Sequence, residues 1–299
     1  YAALTPELTH DYDERTSLSS YRLSFSILGG VLAAFFHTII VGLYENPITG
    51  NAVSAAVWAF FIIVPNFITF FGTREIHYKE KRVEGPGFLE GLTIVFKNKA
   101  FIYVTVIYLL SWLSIQFVQN NLVLYVKYWI GAEQQFGILI LGVQFSAFIF
   151  LLIWAKVSQR IGKQNVYYIG MSIWILVAIF LFTVQPGQFT LLFILAVLAG
   201  AGVSIGYLIP WSMIPDVIEL DELETGQRRE GVFYGFFVFL QKMGLALGMF
   251  VSGWALELSG YINATPGLPD PIQPASALLA MRVLIGPVSA GILLLSFLA

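Results

Sequence analysis

The chain has 299 residues, of which 58% are hydrophobic and 11% are charged, with a formal net charge of −2. A soluble domain carries about 25% charged residues, so this composition argues against a large soluble helical core. Cysteine is absent, which excludes a disulfide framework and thiol chemistry. No feature of the composition indicates a nucleic-acid partner, and none is expected.

Eight apolar runs, each about as long as the roughly 20 residues that span a bilayer core, follow one another along the chain. They cover residues 23–44, 52–72, 100–119, 136–157, 165–184, 188–210, 231–257 and 277–299. The sequence therefore predicts an all-α membrane protein that is surrounded by the lipid bilayer.

Lysine and arginine residues collect in alternate connections between these runs. The basic connections are 74–99, 156–164 and 215–230, with Arg15 in the leading segment. The intervening connections contain one basic residue among them, Lys127. Since cytoplasmic loops are enriched in basic residues, both ends of the chain are expected in the cytoplasm, in a plasma (inner) membrane.

Two acidic segments at corresponding positions indicate an internal repeat. "PELTHDYDERT" at 6–16 and "PDVIELDELET" at 215–225 align at an offset of 209 residues. Parallel repeats of this kind build the two halves of many secondary transporters. Because the second copy follows four apolar runs, four further helices are expected before the first, in a protein of twelve helices. The expected parts are residues 1–73 as the end of the first bundle, 74–99 as a cytoplasmic inter-bundle loop and 100–299 as the six-helix second bundle.

The same segments carry a family resemblance. "YAALTPELTHDYDERTSLSSYR" and "PWSMIPDVIELDELETGQRREG" resemble the loops after helices four and ten of the glycoside–pentoside–hexuronide:cation symporters, the melibiose-permease-like branch of the major facilitator superfamily. The resemblance covers the whole chain as helices 5–12. It implies the superfamily fold and alternating access, with Na⁺-, H⁺- or Li⁺-coupled uptake of a sugar. The carboxylates that bind the cation in this family would lie upstream of Tyr1.

Lys242 interrupts the apolar run 231–257 near its middle. A lysine at the bilayer centre costs about 2.5–3.5 kcal/mol and usually faces a cavity and a partner. Snorkelling to an interface is the alternative, but the ends of the run are distant. The resemblance matches Lys242 to a lysine beside the family's cation site and Arg22 to an arginine that holds the sugar. Arg22 and Arg282 lie near the ends of runs, where anchoring at the interface also explains them.

Several uncharged side chains are candidates for contacts with a substrate. Gln116 and Asn120 lie four residues apart on one helical face, where they suit either sugar hydroxyls or hydrogen bonds between helices. Tyr207 and Trp211 flank Pro210, a predicted break; Tyr207 is assigned to the site and Trp211 to an aromatic belt. In the family, a tryptophan occupies the position of Tyr207. An aromatic residue of the family likewise corresponds to Ala2, and both departures argue against an α-galactoside. The related lysolipid symporters also have a small residue at the position of Ala2, which leaves a lysolipid open as an alternative substrate.

Charged residues recur on the predicted cytoplasmic face of both halves. Arg15, Asp216, Arg228 and Glu230 correspond to residues that close the inner gate in the family, although a solvated loop surface would look similar. No phosphate-binding loop or catalytic triad motif is recognisable, so an enzyme is not expected, and no cofactor besides the coupling cation. The expected function is cation-coupled symport of a sugar or glycoside. A lysolipid symporter and a non-transporting scaffold or receptor are the alternatives.

Overall fold

The computed structural model describes residues 11–72, 87–227, 229–265 and 269–298, and these residues are predominantly helical. The helices are α1 (Tyr12–Gly42), α2 (Pro47–Gly72), α3 (Phe88–Lys97), α4 (Lys99–Leu124), α5 (Phe136–Ile161), α6 (Lys163–Thr183), α7 (Phe189–Thr225), α8 (Glu230–Leu258), α9 (Ala275–Val283) and α10 (Ser289–Ser296). A π-helical turn, Tyr125–Ile130, extends α4, and another, Leu284–Val288, joins α9 to α10.

Each of the eight predicted apolar runs lies in a helix, or in the joined pair α9–α10, that is long and apolar enough to cross a membrane. The prediction of an all-α protein with eight membrane helices is therefore confirmed. The break expected at Pro210 is wrong, because α7 continues through Pro210 and Pro215 to Thr225. In this extension the Ser212 hydroxyl donates to the carbonyl of Ile209 at 2.8 Å, and the Lys163 ammonium donates to the Ser212 carbonyl at 2.9 Å.

Part of the predicted 74–99 loop is also helical. Residues 88–97 form α3, which is amphipathic and buries Gly91 and Val95 on one face. A Cβ atom at Gly91 would lie 3.0 Å from the ring of Phe236 on α8, so the glycine allows the two helices to approach. Residues 88–97 of this segment are therefore helical, because their amphipathic pattern provides an apolar face that packs on α8.

The chain divides into two compact units, one formed by residues 1–24 with 86–299 and the other by residues 25–85. The boundaries predicted from the sequence, at residues 73 and 99, stay a prediction. In the larger unit, which we call the main unit, α4 packs against α7, α8 and α10, while α5 and α6 pack against α7. Glycine makes these contacts close: a Cβ atom at Gly200 on α7 would lie 2.5 Å from the Val143 carbonyl oxygen on α5.

The smaller unit contains the second part of α1 and the whole of α2. A Cβ atom at Gly50 would lie 2.9 Å from the carbonyl oxygen of Val41, so glycine permits the chain to turn tightly between the two helices. The ring nitrogen Nδ1 of His37 lies 2.8 Å from the Ser54 hydroxyl. This contact gives His37 the interhelical role that is usual for a histidine within the membrane.

Candidate functional site

Four charged side chains of the main unit form a cluster at the end of α7, which we call the α7 cluster. Arg15 donates to Asp216 at 3.3 Å and to Glu219, and Lys163 donates to the second Asp216 oxygen at 2.7 Å. The two cations are almost fully buried, with 1% and 2% of their side chains exposed, whereas 28% of Asp216 is exposed. Asp216 therefore bridges two desolvated cations that come from different helices.

An ion pair also bridges the connection from α7 to α8. Arg229 donates through two nitrogens to both oxygens of Asp221, at 2.7–3.0 Å, and to the Thr225 hydroxyl at 3.2 Å. Gly226 makes this connection possible because it adopts a left-handed conformation, with φ of 67°. A bidentate arginine–carboxylate pair holds a defined geometry, so it fixes the end of α7 against the start of α8.

The structure brings two of the four predicted gate residues, Arg15 and Asp216, into direct contact. Glu230 lies in the first turn of α8, and Arg228 lies outside the described residues. Sequence reasoning did not single out Lys163 as a partner of Asp216. Lys163 belongs to the basic connection 156–164, which the sequence does show. Its contact with Asp216 requires α6 to begin beside α7, which the sequence does not show.

Lys242 lies near the middle of α8 (Glu230–Leu258), and its side chain is exposed. No residue in the described part of the chain forms an ion pair or hydrogen bond with its ammonium group. The preceding residue, Gln241, interacts with the Tyr108 hydroxyl on α4. Lys242 thus follows a residue that contacts α4, but Lys242 itself has no counter-charge among the described residues.

Arg22 lies against an aromatic group formed by α4, α7 and α8. Its guanidinium carbon is 4.7 Å from the centre of the Trp211 ring, and the Trp211 indole nitrogen donates to the Tyr108 hydroxyl at 3.3 Å. Phe237 stacks on Tyr108 with ring centres 4.5 Å apart. The Trp211 ring therefore packs against the main unit and contacts an arginine, and its assignment to an aromatic belt stays a prediction.

Tyr207 extends this aromatic group along α7. Its ring centre lies 4.9 Å from that of Trp112 on α4, and its hydroxyl interacts with Gln119. The indole nitrogen of Trp112 is buried without a hydrogen-bond partner among the described residues. The structure thus places Tyr207 beside a donor that a polar ligand or a water molecule could satisfy.

The polar residues of α4 face a stripe of small residues on α8. Gln116 is buried, and a Cβ atom at Gly248 would lie 3.3 Å from the Gln116 Cβ atom. The Asn121 amide donates to the Ser252 hydroxyl at 3.2 Å, a contact that the sequence pattern did not reveal. Asn120 keeps its amide nitrogen buried without a partner among the described residues. Close packing of α4 on α8 therefore leaves amide groups within reach of a hydroxyl-rich ligand or water.

The opposite end of the helices carries a different charge group, which we call the Lys127 cluster. Lys127 forms ion pairs with Glu133 at 3.2 Å and Asp270 at 2.8 Å, and the two carboxylates are 57% and 50% exposed. Its ammonium also lies 5.5 Å from the ring centre of Tyr128. This cluster connects the segment between α4 and α5 to the segment between α8 and α9.

Comparisons with known proteins agree with this architecture. The whole chain, residues 1–299, matches the family described as MFS/sugar transport protein. An uncharacterized symporter of Synechocystis sp. is 38% identical over 98% of this chain and 69% of that protein. Sodium-dependent lysophosphatidylcholine symporter 1 of Gallus gallus is 29% identical over 100% of this chain and 62% of that protein. A putative 2,3-dihydroxypropane-1-sulfonate exporter of Salmonella typhimurium is 26% identical over 95% of this chain and 61% of that protein.

The chain thus spans between about three fifths and about two thirds of the length of these relatives. The family match extends over every helix described above, including those that carry the α7 cluster and Lys242. The resemblance that the two acidic segments indicate is confirmed, and with it the fold class. The chain belongs to the MFS/sugar transport protein family, a family of multi-pass membrane transporters.

Proposed function

We propose that this protein is a cation-coupled secondary transporter that carries a sugar or glycoside by alternating access. The observation that carries the proposal is Lys242, an exposed ammonium near the middle of α8 with no counter-charge in the described part of the chain. Such a charge is expensive within a bilayer unless it faces a cavity and a partner. We expect that partner to be the carboxylate group that binds the coupling cation.

A lysine and a cation that compete for the same carboxylates would couple the two fluxes. When the cation binds, the ammonium is displaced, and the change in charge biases the protein toward one conformation. Arg22 and Trp211, which lie on the same side of the main unit as Tyr108 and Gln241, would then hold the substrate. That Lys242 faces the cavity between two bundles stays a prediction.

The α7 cluster supports alternating access. Asp216 binds Arg15 and Lys163 simultaneously, so release of Arg15 would leave the carboxylate paired with Lys163. A gate that keeps one partner when it opens avoids exposing an unpaired buried charge, which would be costly. The excess of basic residues in the connections on this side supports a cytoplasmic location for the gate. A plasma (inner) membrane stays a prediction.

A sugar or glycoside is supported by the chemistry of α4 and α7. The rings of Trp112 and Tyr207 offer apolar faces, and the Asn120 amide nitrogen and the Trp112 indole nitrogen offer donors that no described residue fills. Gln116 adds a buried amide on the same helix. Sugars present both kinds of surface, because their C–H faces stack on aromatic rings and their hydroxyl groups need donors and acceptors.

A lysolipid is the second candidate, and a specific observation favours it. Relatives at 25–29% identity, from Danio rerio and Gallus gallus, are sodium-dependent lysophosphatidylcholine symporters. The small residue Ala2, at a position where the related lysolipid symporters also have a small residue, is compatible with this alternative. Both candidates require cation coupling, so the role of Lys242 does not depend on which is correct.

Uptake by the full-length protein in proteoliposomes tests the proposal. Labelled glycosides and labelled lysophosphatidylcholine are supplied separately, each under an inward Na⁺ gradient, an inward H⁺ gradient or no gradient. We expect one substrate class to accumulate only under a gradient. We expect Lys242→Ala to abolish this accumulation without loss of membrane insertion, whereas Lys156→Ala, at an exposed lysine of α5, retains it.

The outcomes separate the alternatives. Accumulation of lysophosphatidylcholine but not of glycosides would replace the first substrate class with the second. Gradient-driven accumulation by the Lys242→Ala variant at the wild-type level would reject the coupling role. Absence of uptake of either class by the wild-type protein would favour a non-transporting scaffold or receptor.

A further inference from the structure

Arg282 has aromatic neighbours instead of a carboxylate partner. Its guanidinium carbon lies 4.2 Å from the ring centre of Trp129 and 4.7 Å from that of Phe182. Its Nη2 atom donates to the Phe182 carbonyl at 2.8 Å. Among the described residues, no carboxylate lies within ion-pair distance of it. In this respect Arg282 differs from Lys127, which pairs with two carboxylates at the same end of the helices.

Three helix ends build this aromatic cradle. Arg282 is on α9, Phe182 is in the last turn of α6, and Trp129 is in the π-helical turn that extends α4. A Cβ atom at Gly286 would lie 2.7 Å from the Phe182 Cβ atom, so glycine allows the α9 segment to approach α6. The Trp129 indole nitrogen donates to the Val184 carbonyl at 2.9 Å, which fixes the ring. The guanidinium is therefore held in one orientation before any ligand binds.

The cradle stabilises the cation without neutralising it. Aromatic faces attract a guanidinium through their quadrupoles, but they supply no net negative charge. The Arg282 Nε atom is buried without a hydrogen-bond partner among the described residues, while the side chain as a whole stays partly exposed. A preorganised, partly exposed cation that no described carboxylate neutralises is a site for an anion.

The surroundings indicate which anion this is. Tryptophan near the end of a membrane helix typically lies at the level of the lipid headgroups. Leu279 on α9 and Ile179 on α6 are exposed apolar side chains within one turn of the cradle residues on their own helices, where acyl chains would lie. Phosphate is the anion present at this depth, and a planar guanidinium matches its oxygens. We infer that Arg282, held by Trp129 and Phe182, binds the phosphate group of a phospholipid.

Lipid binding by the purified full-length protein tests this inference. Delipidated protein in detergent is titrated with dioleoylphosphatidylglycerol, and bound lipid is counted by native mass spectrometry. We expect Arg282→Gln to weaken binding of one lipid by about tenfold or more, because a charge-assisted hydrogen bond is lost. Arg282→Lys keeps the charge but not the planar fork, so we expect a smaller loss. Arg160→Gln, at an exposed arginine of α5, serves as the matched control and should bind as the wild type does.

Two further probes distinguish the source of the phosphate. Dioleoylglycerol has the same acyl chains without phosphate and should not occupy the site, and inorganic phosphate should not displace the lipid. Wild-type affinity in Arg282→Gln, or equal occupancy by dioleoylglycerol, would overturn the inference. Displacement by millimolar inorganic phosphate would overturn the lipid assignment in favour of a free anion. If Arg282→Gln does not fold, unchanged affinity in Arg282→Lys would contradict the inference instead.

Discussion

At the end of the helices where α7 terminates, Arg15 and Lys163 are 1% and 2% exposed, and both contact Asp216. At the opposite end, Lys127 contacts Glu133 and Asp270, which are 57% and 50% exposed. Each cluster joins segments that are distant in sequence, and in each one charged group contacts two of opposite sign. The clusters differ mainly in burial.

This difference in burial predicts that substitutions in the two clusters lower the free energy of unfolding by different amounts. An exposed ion pair contributes about 0–1 kcal/mol and is screened by salt. Replacing both members of a buried pair by apolar residues changes the stability little. Removing one partner leaves the other as a desolvated, unpaired charge, which is costly. Substitutions in the α7 cluster should therefore destabilise the protein more than substitutions in the Lys127 cluster, and most where a buried cation loses its carboxylate.

The largest effect is expected for Asp216→Asn, which preserves the side-chain volume and removes the charge that Arg15 and Lys163 share. We expect the free energy of unfolding to fall by about 3–5 kcal/mol, because two buried cations lose a carboxylate. Equilibrium unfolding in mixed micelles measures this change. Asp270→Asn in the Lys127 cluster is the matched control, and a loss of the same size there would mean that burial does not explain the difference.

A smaller effect is expected for Lys163→Met. The methionine fills most of the space of the lysine stem, and Asp216 retains Arg15 as a partner. We expect a loss of about 1–2 kcal/mol, mainly from the two hydrogen bonds to Ser212 and Asp216. The same unfolding measurement applies, and a loss as large as that of Asp216→Asn would show that Arg15 cannot hold the carboxylate alone.

The smallest effect is expected for Lys127→Met, because an ion pair with exposed carboxylates contributes little to stability. Its signature is salt dependence: raising NaCl from 0.05 M to 1 M should reduce the difference between the variant and the wild type, since the Debye length falls to about 3 Å at 1 M. Unfolding measured at both salt concentrations checks this. A difference that salt leaves unchanged would place the Lys127 cluster in the same class as the α7 cluster.

The membrane helices could be predicted because a run of apolar residues is a property of the chain itself. The ends of α7 and the existence of α3 could not be predicted in this way. The extension of α7 beyond residue 210 contains Asp216 and Asp221, whose partners, Arg15, Lys163 and Arg229, make it stable as a helix. The predicted apolar run ends at residue 210, before this extension begins. In the same way, the apolar face of α3 follows from its sequence, but the surface that this face covers, including Phe236 of α8, lies elsewhere in the chain.

The candidate site was predictable where a residue is unusual in its surroundings. Lys242 stands out in an apolar run, and Arg15 and Asp216 stand out through the repeated acidic segment. The position of Trp211 near the end of an apolar run is typical of an aromatic belt, but its contact with Arg22 depends on the packing of α1 and could not be predicted. Asn121 was missed because its partner, Ser252, lies on a different helix.

The unbroken α7 has a mechanical consequence. At about 1.5 Å per residue, its 37 residues form a rod about 55 Å long, whereas the hydrocarbon core is about 30 Å thick. The rod is therefore longer than the hydrocarbon core is thick, so that a small tilt within the membrane becomes a larger displacement at the arm that Arg15, Lys163 and Arg229 contact. Pro210 and Pro215 each remove a backbone hydrogen bond, which makes the base of that arm the most compliant part of the rod.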